Sequence, residues 1–314
     1  MISIKYALFL LGVSVLLSHY FKNTSLAGFE LSLGMRYMIL SAFGFSIMAV
    51  CVKLASKQGI PVLEIVAARA LVSLALSYLD VRRKGISLLG HKKHLLVARG
   101  TVGAIALVCV YYAITHLPLA EATVLQYLHP MFTAVLALIF LKEHIHLSLI
   151  VSIICSFIGL VFIARPEIVF GLTENVLSHF AVGVALLGAF GSAVAYVLVR
   201  KLNETEDASV IIFYFPLIAL PISIVLLGSD FVMPDTWTCF VLLLVGIFTQ
   251  VGQIGLTKAM KTETAGKATA FSYLQVVFAV LLGWMIFGEE PNLWVTLGGG
   301  FILMGAFINA FWKR

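Results

Sequence analysis

The chain has 314 residues, of which 61% are hydrophobic and only 11% are charged, and its formal net charge is +6 at pH 7. Soluble domains carry about a quarter charged residues, so this composition excludes a soluble globular protein and indicates a polytopic membrane protein. Apolar segments of helical length recur without the alternation typical of barrel strands, which predicts an all-α membrane protein. The positive charge is explained by cytoplasmic loops rather than by nucleic-acid binding.

Residues 1–34 form an N-terminal extension that contains a short hydrophobic segment at residues 6–21. This segment is shorter than the roughly 20 residues that a span needs, and it resembles the core of a signal anchor. Two interpretations stay open, an extra membrane-associated helix and a segment without function.

Ten candidate transmembrane helices follow in two groups of five. The first group is predicted at residues 37–54, 62–81, 95–114, 119–141 and 147–164. The second group is predicted at residues 180–199, 210–227, 237–257, 265–288 and 293–312. We therefore divide the body into a first repeat at 35–164, a connecting loop at 165–178 and a second repeat at 179–314.

The two groups are copies of one another. Residues 119–143 align without a gap with residues 265–289 at an offset of 146, and the polar positions stay in register. Because five is an odd number, the second copy enters the membrane from the opposite side, so the repeats are inverted. Thirteen Lys and Arg fall in one set of connections and three in the other, which predicts that both ends of the body are cytoplasmic.

The stretch at residues 111–164 resembles the EamA domain of the drug/metabolite transporter superfamily. The matching features are short motifs and single residues at helix ends and mid-helix, namely Tyr111, Ala113, Leu117-Pro118, Ala120, Ala122, Pro130, Glu143 and Gly159. The second copy keeps Ala268, Glu289 and Gly305 but has Val276 where the family often has proline. The resemblance covers residues 37–312 and implies ten helices, two EamA repeats and small-molecule transport, often export.

Two inverted copies of one fold have similar preferences for facing either side of the membrane, which suits alternating access around a site between the repeats. The sequence therefore predicts a secondary transporter of a small organic metabolite, an exporter or exchanger in the plasma (inner) membrane. A passive channel is the alternative. An intramembrane enzyme would need a nucleophile–base pair or a metal cluster at one depth, and the sequence contains neither.

We expect no catalytic residues, no metal and no cofactor. The expected partners are the small-molecule substrate and membrane lipid, and not nucleic acid. A homodimer is compatible with the sequence, but no feature supports it.

Polar side chains concentrate at mid-span in predicted helices 4, 8 and 9. Thr123, Gln126 and His129 recur at every third position and share one helix face, beside Pro130. Proline cannot donate, so the Gln126 carbonyl loses its helical partner, which is tolerable where it faces a cavity or a polar group. We predict that twelve residues line the substrate cavity, with interhelical hydrogen bonding as the alternative: Thr123, Gln126, Tyr127, His129, Thr133, Gln250, Gln253, Thr257, Thr269, Ser272, Tyr273 and Gln275.

Three ionisable residues are candidates for ion coupling or for binding substrate charge. His129 either carries a coupling proton or acts as a neutral hydrogen-bonding partner. Glu121 either passes a proton or caps the start of helix 4, where the helix dipole favours an anion. Arg69 either attracts an anionic substrate, pairs with Glu64 or extends to the membrane surface. The mostly neutral cavity set favours a zwitterionic or polar neutral substrate.

Pro130, Glu143 and Glu289 are interpreted as a structural signature of the repeats. The two glutamates end predicted helices 4 and 9, and their repetition indicates a shared role such as bonding neighbouring helix N-termini. The four cysteines fall singly in different apolar segments, without metal-binding spacing, and are interpreted as packing residues.

Overall fold

The computed structural model of the protein describes residues 32–117, 119–164 and 179–312. The N-terminal hydrophobic segment predicted at residues 6–21 and the connecting loop predicted at 165–178 lie outside the described residues.

Within these ranges, ten helical segments are long and apolar enough to cross a membrane, which confirms the predicted all-α fold. The first repeat contains α1 (Leu33–Lys57), α2 (Val62–Lys84), α3 (Lys93–His116), α4a (Leu119–Gln126), α4b (His129–Phe140) and α5 (Leu147–Ala164). The second repeat contains α6 (His179–Leu202), α7 (Ala208–Leu227), α8 (Thr236–Thr262), α9a (Ala265–Ala270), a 3-10 turn (Phe271–Tyr273), α9b (Leu274–Phe287) and α10 (Leu293–Phe311).

Local sequence sets the helix ends. The side chains of Ser32, Asp207, Asp235 and Asn292 each accept a hydrogen bond from a backbone N–H in the first turn of the helix that follows. Such caps satisfy donors that have no partner within the helix. The cap at Ser32 explains why α1 begins four residues before its predicted start.

The packing of the helices repeats between the two halves. α1 packs along α8, and in the same way its counterpart α6 packs along α3, the counterpart of α8. α2 packs against its own counterpart α7, and α5 packs against its own counterpart α10. Single contacts repeat as well: a Cβ at Gly100 would touch Ile218, and a Cβ at Gly246 would touch Val72. Gly246 and Ile218 are the residues 146 positions after Gly100 and Val72. The inverted repeats are therefore related by a pseudo-two-fold axis, the arrangement in which a shared site lies between repeats.

The close approach of α5 and α10 depends on glycine. A Cβ at Gly159 would collide with the backbone oxygen of Gly298, and a Cβ at Gly298 would collide with that of Gly159. Small residues at helix interfaces let backbones pack at this distance in membranes. Gly299 and Gly300 have open space where a Cβ would lie, so only part of the α10 glycine cluster serves this contact.

Helices 4 and 9 each form one membrane-length span, as predicted at residues 119–141 and 265–288, but each contains a short interruption of regular α-helix. α4a ends at Gln126 and α4b begins at His129, with Pro130 in its first turn. In the second repeat the equivalent interruption is the 3-10 turn at Phe271–Tyr273, although no proline is present there. A short 3-10 stretch within a helix often marks a hinge, and both interruptions lie at the centre of the molecule.

Candidate substrate cavity

The two helix interruptions meet each other across the pseudo-symmetry axis. The Tyr273 hydroxyl donates a hydrogen bond to the carbonyl oxygen of Tyr127 at 2.8 Å, and the two rings stack with centroids 5.6 Å apart. Tyr273 is the counterpart of Tyr127 at the offset of 146. The bond satisfies a backbone carbonyl at the break of the first repeat, next to the Gln126 carbonyl that Pro130 leaves without a helical partner.

A cavity of about 220 Å³ lies beside this contact. Its walls come from both repeats, since α1, α4a, α4b, α6, α8 and the broken helix 9 all contribute side chains. The lining residues are Met38, Ser41, Ala42, Phe45, Gln126, Tyr127, His129, Tyr196, Leu256, Thr269, Ser272 and Gln275.

A second space of about 390 Å³ adjoins the first and shares Phe45, Gln126, Tyr196 and Gln275 with it. We call the two spaces together the central cavity. The second space follows α3 from Arg99, which is 4% exposed, to Ile114, which is 41% exposed. The central cavity is therefore sealed at the Arg99 end, and its size suits a small ligand.

Seven of the twelve predicted cavity residues line the central cavity. Those from the first repeat lie around the break in helix 4, and Gln126 Nε2 donates to the Ser192 hydroxyl at 3.4 Å. The seven are Gln126, Tyr127, His129, Gln253, Thr269, Ser272 and Gln275.

The other five predicted cavity residues do not line the central cavity, and most of them bond within the protein. The Thr133 hydroxyl donates to the His129 carbonyl at 2.7 Å. Gln250 accepts from the Ser73 hydroxyl and donates to that of Ser77 at 2.9 Å. Thr123, Thr257 and Tyr273 are not part of the walls, and the latter two are buried.

The three charge candidates have different outcomes. His129 lines the central cavity, is 5% exposed and has no described hydrogen-bond partner for Nδ1. Arg69 also lines the cavity, and it forms no ion pair with Glu64; the Glu64 carboxylate accepts from the Val232 N–H at 2.9 Å. The side chain of Glu121 lies outside the described residues.

Arg99 is a cavity residue that the sequence analysis missed. Its guanidinium carbon lies 4.9 Å from the centre of the Phe215 ring, and its Nε has no hydrogen-bond partner among the described residues. The available signal was a charged residue inside a predicted span, which usually faces a bundle interior or a water-filled space.

Glu143 joins three helices at the sealed end of the cavity. Its carboxylate accepts from Arg200 Nε at 2.8 Å and from the N–H of Ala265, the first residue of α9a, at 2.8 Å. Arg200 Nη1 also donates to the carbonyl of Met260 at 2.9 Å. The contact with Ala265 is the bond to a neighbouring helix N-terminus that the sequence predicts for Glu143.

The same acid–base pair recurs at the opposite end of the molecule. Glu289 pairs with Lys53, and these are the pseudo-symmetry counterparts of Glu143 and Arg200 at offsets of 146 and 147. The Glu143 and Arg200 side chains are 13% and 28% exposed, whereas those of Glu289 and Lys53 are 52% and 43% exposed. We call the Glu143 side the closed end and the Glu289 side the open end.

Further polar contacts hold the closed end together. Glu206 accepts from the N–H groups of His91 at 2.7 Å and Lys92 at 2.6 Å, which fastens the α2–α3 connection to the α6–α7 connection. Lys84 bridges Asp80 and Asp207, each at 2.9 Å. These contacts link both repeats on the same side as Glu143.

Replacing Tyr273 with Phe is expected to destabilise the protein by about 1–3 kcal/mol, because the buried Tyr127 carbonyl loses its donor. Tyr127→Phe is the matched control: it removes the symmetry-related hydroxyl, which lies beside the central cavity, and its expected loss is below about 0.5 kcal/mol. Thermal unfolding of the detergent-purified proteins measures both. Equal losses in the two variants would contradict the role given to the Tyr273 hydroxyl.

Ten membrane-spanning helices in two inverted repeats around a polar central cavity define a membrane transport protein. The chain belongs to the EamA-like transporter family, whose model matches residues 32–165 and 179–311.

Individual relatives agree with this assignment. The chain is 34% identical to the pseudopaline exporter CntI of Pseudomonas aeruginosa (strain UCBPP-PA14), over 88% of this chain and 94% of that protein. It is 29% identical to human solute carrier family 35 member G1, over 88% of this chain and 78% of that protein. A crystal structure with 16% sequence identity matches with a TM-score of 0.76, covering 89% of this chain and 96% of the other, and supports the fold.

Proposed function

We propose that the protein is a secondary transporter that exports or exchanges a small organic metabolite by alternating access. The observation that carries this proposal is the unequal exposure of two equivalent acid–base pairs, Glu143–Arg200 partly buried at the closed end and Glu289–Lys53 exposed at the open end. Because the repeats have the same fold, exchanging their two arrangements yields a molecule that is open at the other end.

The helix interruptions supply a hinge for this exchange. α4b and α9b each follow a break, and the breaks contact each other through Tyr127 and Tyr273 at the centre of the molecule. A turn at each break changes the position of one half-helix while the rest of its repeat stays packed. Access then alternates around the residues that line the central cavity.

The direction of transport and the orientation form part of the proposal. The Lys and Arg distribution supports a cytoplasmic closed end, and in this orientation the open end faces the outside of the plasma (inner) membrane. The relative in Pseudomonas aeruginosa is named an exporter, which supports outward movement of a small metabolite.

Substrate counterflow tests the proposal. A panel of amino acids, sugars, carboxylates and phosphorylated metabolites is first screened by thermal unfolding, where a ligand at 100 times its Kd stabilises by about 2.7 kcal/mol. The compounds that stabilise are then assayed in proteoliposomes preloaded with unlabelled compound. A carrier transiently accumulates the labelled compound inside the vesicles above its outside concentration, because the unlabelled compound leaves in exchange. A channel equilibrates it without an overshoot, which would contradict alternating access.

A further inference from the structure

Two arginines contribute to the wall of the central cavity, Arg69 from α2 and Arg99 from α3. Arg99 is 4% exposed, and its guanidinium lies over the face of the Phe215 ring. Its Nε has no hydrogen-bond partner among the described residues. For Arg69, the described polar contact is the weak acceptor Met48 Sδ, 4.0 Å from Nη1. A buried guanidinium keeps its charge and five donors, so it favours a site where an anion can bind.

The part of the cavity wall that the structure describes contains no carboxylate to neutralise these charges. Neither arginine forms an ion pair with any described residue, and Glu64, on the same helix as Arg69, is bonded to the N–H of Val232. The remaining polar groups of the second space are uncharged: Tyr111, Gln126, Ser192, Tyr196, Gln253 and Gln275.

The two arginines both belong to the first repeat, but they occupy related places in two helix pairs that the pseudo-symmetry exchanges. Arg99 of α3 stacks on Phe215 of α7, and Phe215 is the counterpart of Arg69 at the offset of 146. The α3–α7 pair and its counterpart, the α8–α2 pair, therefore each contain one arginine at equivalent depth. Arg69 lies seven residues from the α2 start at the open end, and Arg99 six residues from the α3 start at the closed end. At 1.5 Å per residue each lies about 10 Å from its own end.

We propose that the substrate carries an oxyanion group, a carboxylate or a phosphate. Arg69 binds this group from the side of the cavity nearer the open end, and Arg99 binds it from the side nearer the closed end. This inference rests on the proposed transport function and deepens it. The guanidinium fork matches both oxyanions in bidentate geometry. The amides of Gln126 and Gln275 remain to bind uncharged parts of the substrate, so the neutral substrate favoured by the sequence is replaced by one with a negatively charged group.

The test compares anions with uncharged counterparts on the full-length, detergent-purified protein. The probes are succinate against succinamide, glutamate against glutamine, and glycerol 3-phosphate against glycerol, with thermal unfolding as the readout. The variants are Arg69→Gln and Arg99→Gln. The control is Arg83→Gln, whose side chain is 81% exposed at the end of α2.

We expect at least one anion, and not its uncharged counterpart, to raise the Tm of the wild type and of Arg83→Gln. Its Kd should rise at least about tenfold in Arg69→Gln and in Arg99→Gln, the loss typical of a hydrogen bond to a charged group. Arg99→Lys, which keeps the charge, should retain part of the binding. If succinate or glutamate raises the Tm, the recognised group is a carboxylate; if glycerol 3-phosphate raises it, the recognised group is a phosphate.

The proposal is overturned if no anion stabilises the wild type more than its uncharged counterpart, or if the stabilisation persists in Arg99→Gln. Should Arg99→Gln fail to fold, the wild-type comparison of each anion with its counterpart decides alone. Counterflow separates the two proposals. Counterflow of an uncharged compound without anion binding contradicts the arginine site only, and anion binding without counterflow contradicts transport only.

Discussion

Replacing Glu143 with Gln is expected to open the closed end of the molecule in a large fraction of the protein. The carboxylate holds Arg200 and the N-terminus of α9a, both at 2.8 Å, and it is 13% exposed, so its bonds are only weakly screened. Hydrogen bonds to a charged group contribute about 1.5–3 kcal/mol. The Gln amide keeps one acceptor oxygen, so one such bond is lost, and this loss shifts the equilibrium toward the alternative state by about 10- to 150-fold.

Thiol labelling measures this shift. The four native cysteines, Cys51, Cys109, Cys155 and Cys239, are replaced, and Met260, which is fully buried beside Arg200, is changed to Cys. In the detergent-purified protein, a maleimide should label this thiol about 10- to 150-fold faster in Glu143→Gln than in the parent protein, in proportion to the open population.

Glu289→Gln is the symmetry-matched control. Its pair with Lys53 is exposed, and exposed pairs contribute about 0–1 kcal/mol, so labelling at position 260 should stay the same or slow slightly. Equal labelling rates in Glu143→Gln and the parent protein would show that the Glu143 bonds do not close this end.

The combined substitution of Gln126 and Gln275 with Ala is expected to reduce counterflow of the panel compound that stabilises the protein most. Both side chains line both parts of the central cavity. Gln126 belongs to the first repeat and Gln275 to the second, and their counterparts at the offset of 146 are Ser272 and His129. Each lost hydrogen bond contributes about 0.5–1.5 kcal/mol, which predicts an increase in KM of about tenfold for the double variant.

Gln250→Ala is the matched control for this loss. Gln250 is also a mid-span glutamine, but its amide bonds Ser73 and Ser77 away from the cavity. Its removal leaves buried hydroxyl groups without partners, so we expect lower stability by about 1–3 kcal/mol with an unchanged KM. A KM that rises in Gln250→Ala and not in the double variant would place the substrate elsewhere.

Much of the fold is predictable from this sequence, because a membrane span needs a long apolar run and a gap-free repeat fixes the relation of the halves. The break in helix 9 was not predictable on the same grounds. Pro130 marks the break in helix 4, whereas Val276 occupies the equivalent place in helix 9 and has no effect on backbone donors. Tyr273 of the second break contacts Tyr127 across the pseudo-symmetry axis, a long-range contact that a local pattern does not contain.

The candidate site was predictable only in part. Helical spacing identifies a shared face for Gln126, His129 and Thr133, but it does not say whether the face meets a cavity or the backbone. Thr133 bonds the carbonyl four residues before it, and Gln250 bonds a neighbouring helix. Arg99 was missed because a cation near the end of a span resembles the positive charges of cytoplasmic loops.

Distances between spin labels at the two ends test alternating access most directly. His144 and Glu204 at the closed end are exposed, and their symmetry counterparts Glu290 and Lys57 at the open end are exposed as well. One label pair is placed at each end, in the parent protein and in Glu143→Gln. We predict that the closed-end distance lengthens and the open-end distance shortens together in the variant. Lengthening at one end with no change at the other would contradict coupled movement of the two repeats.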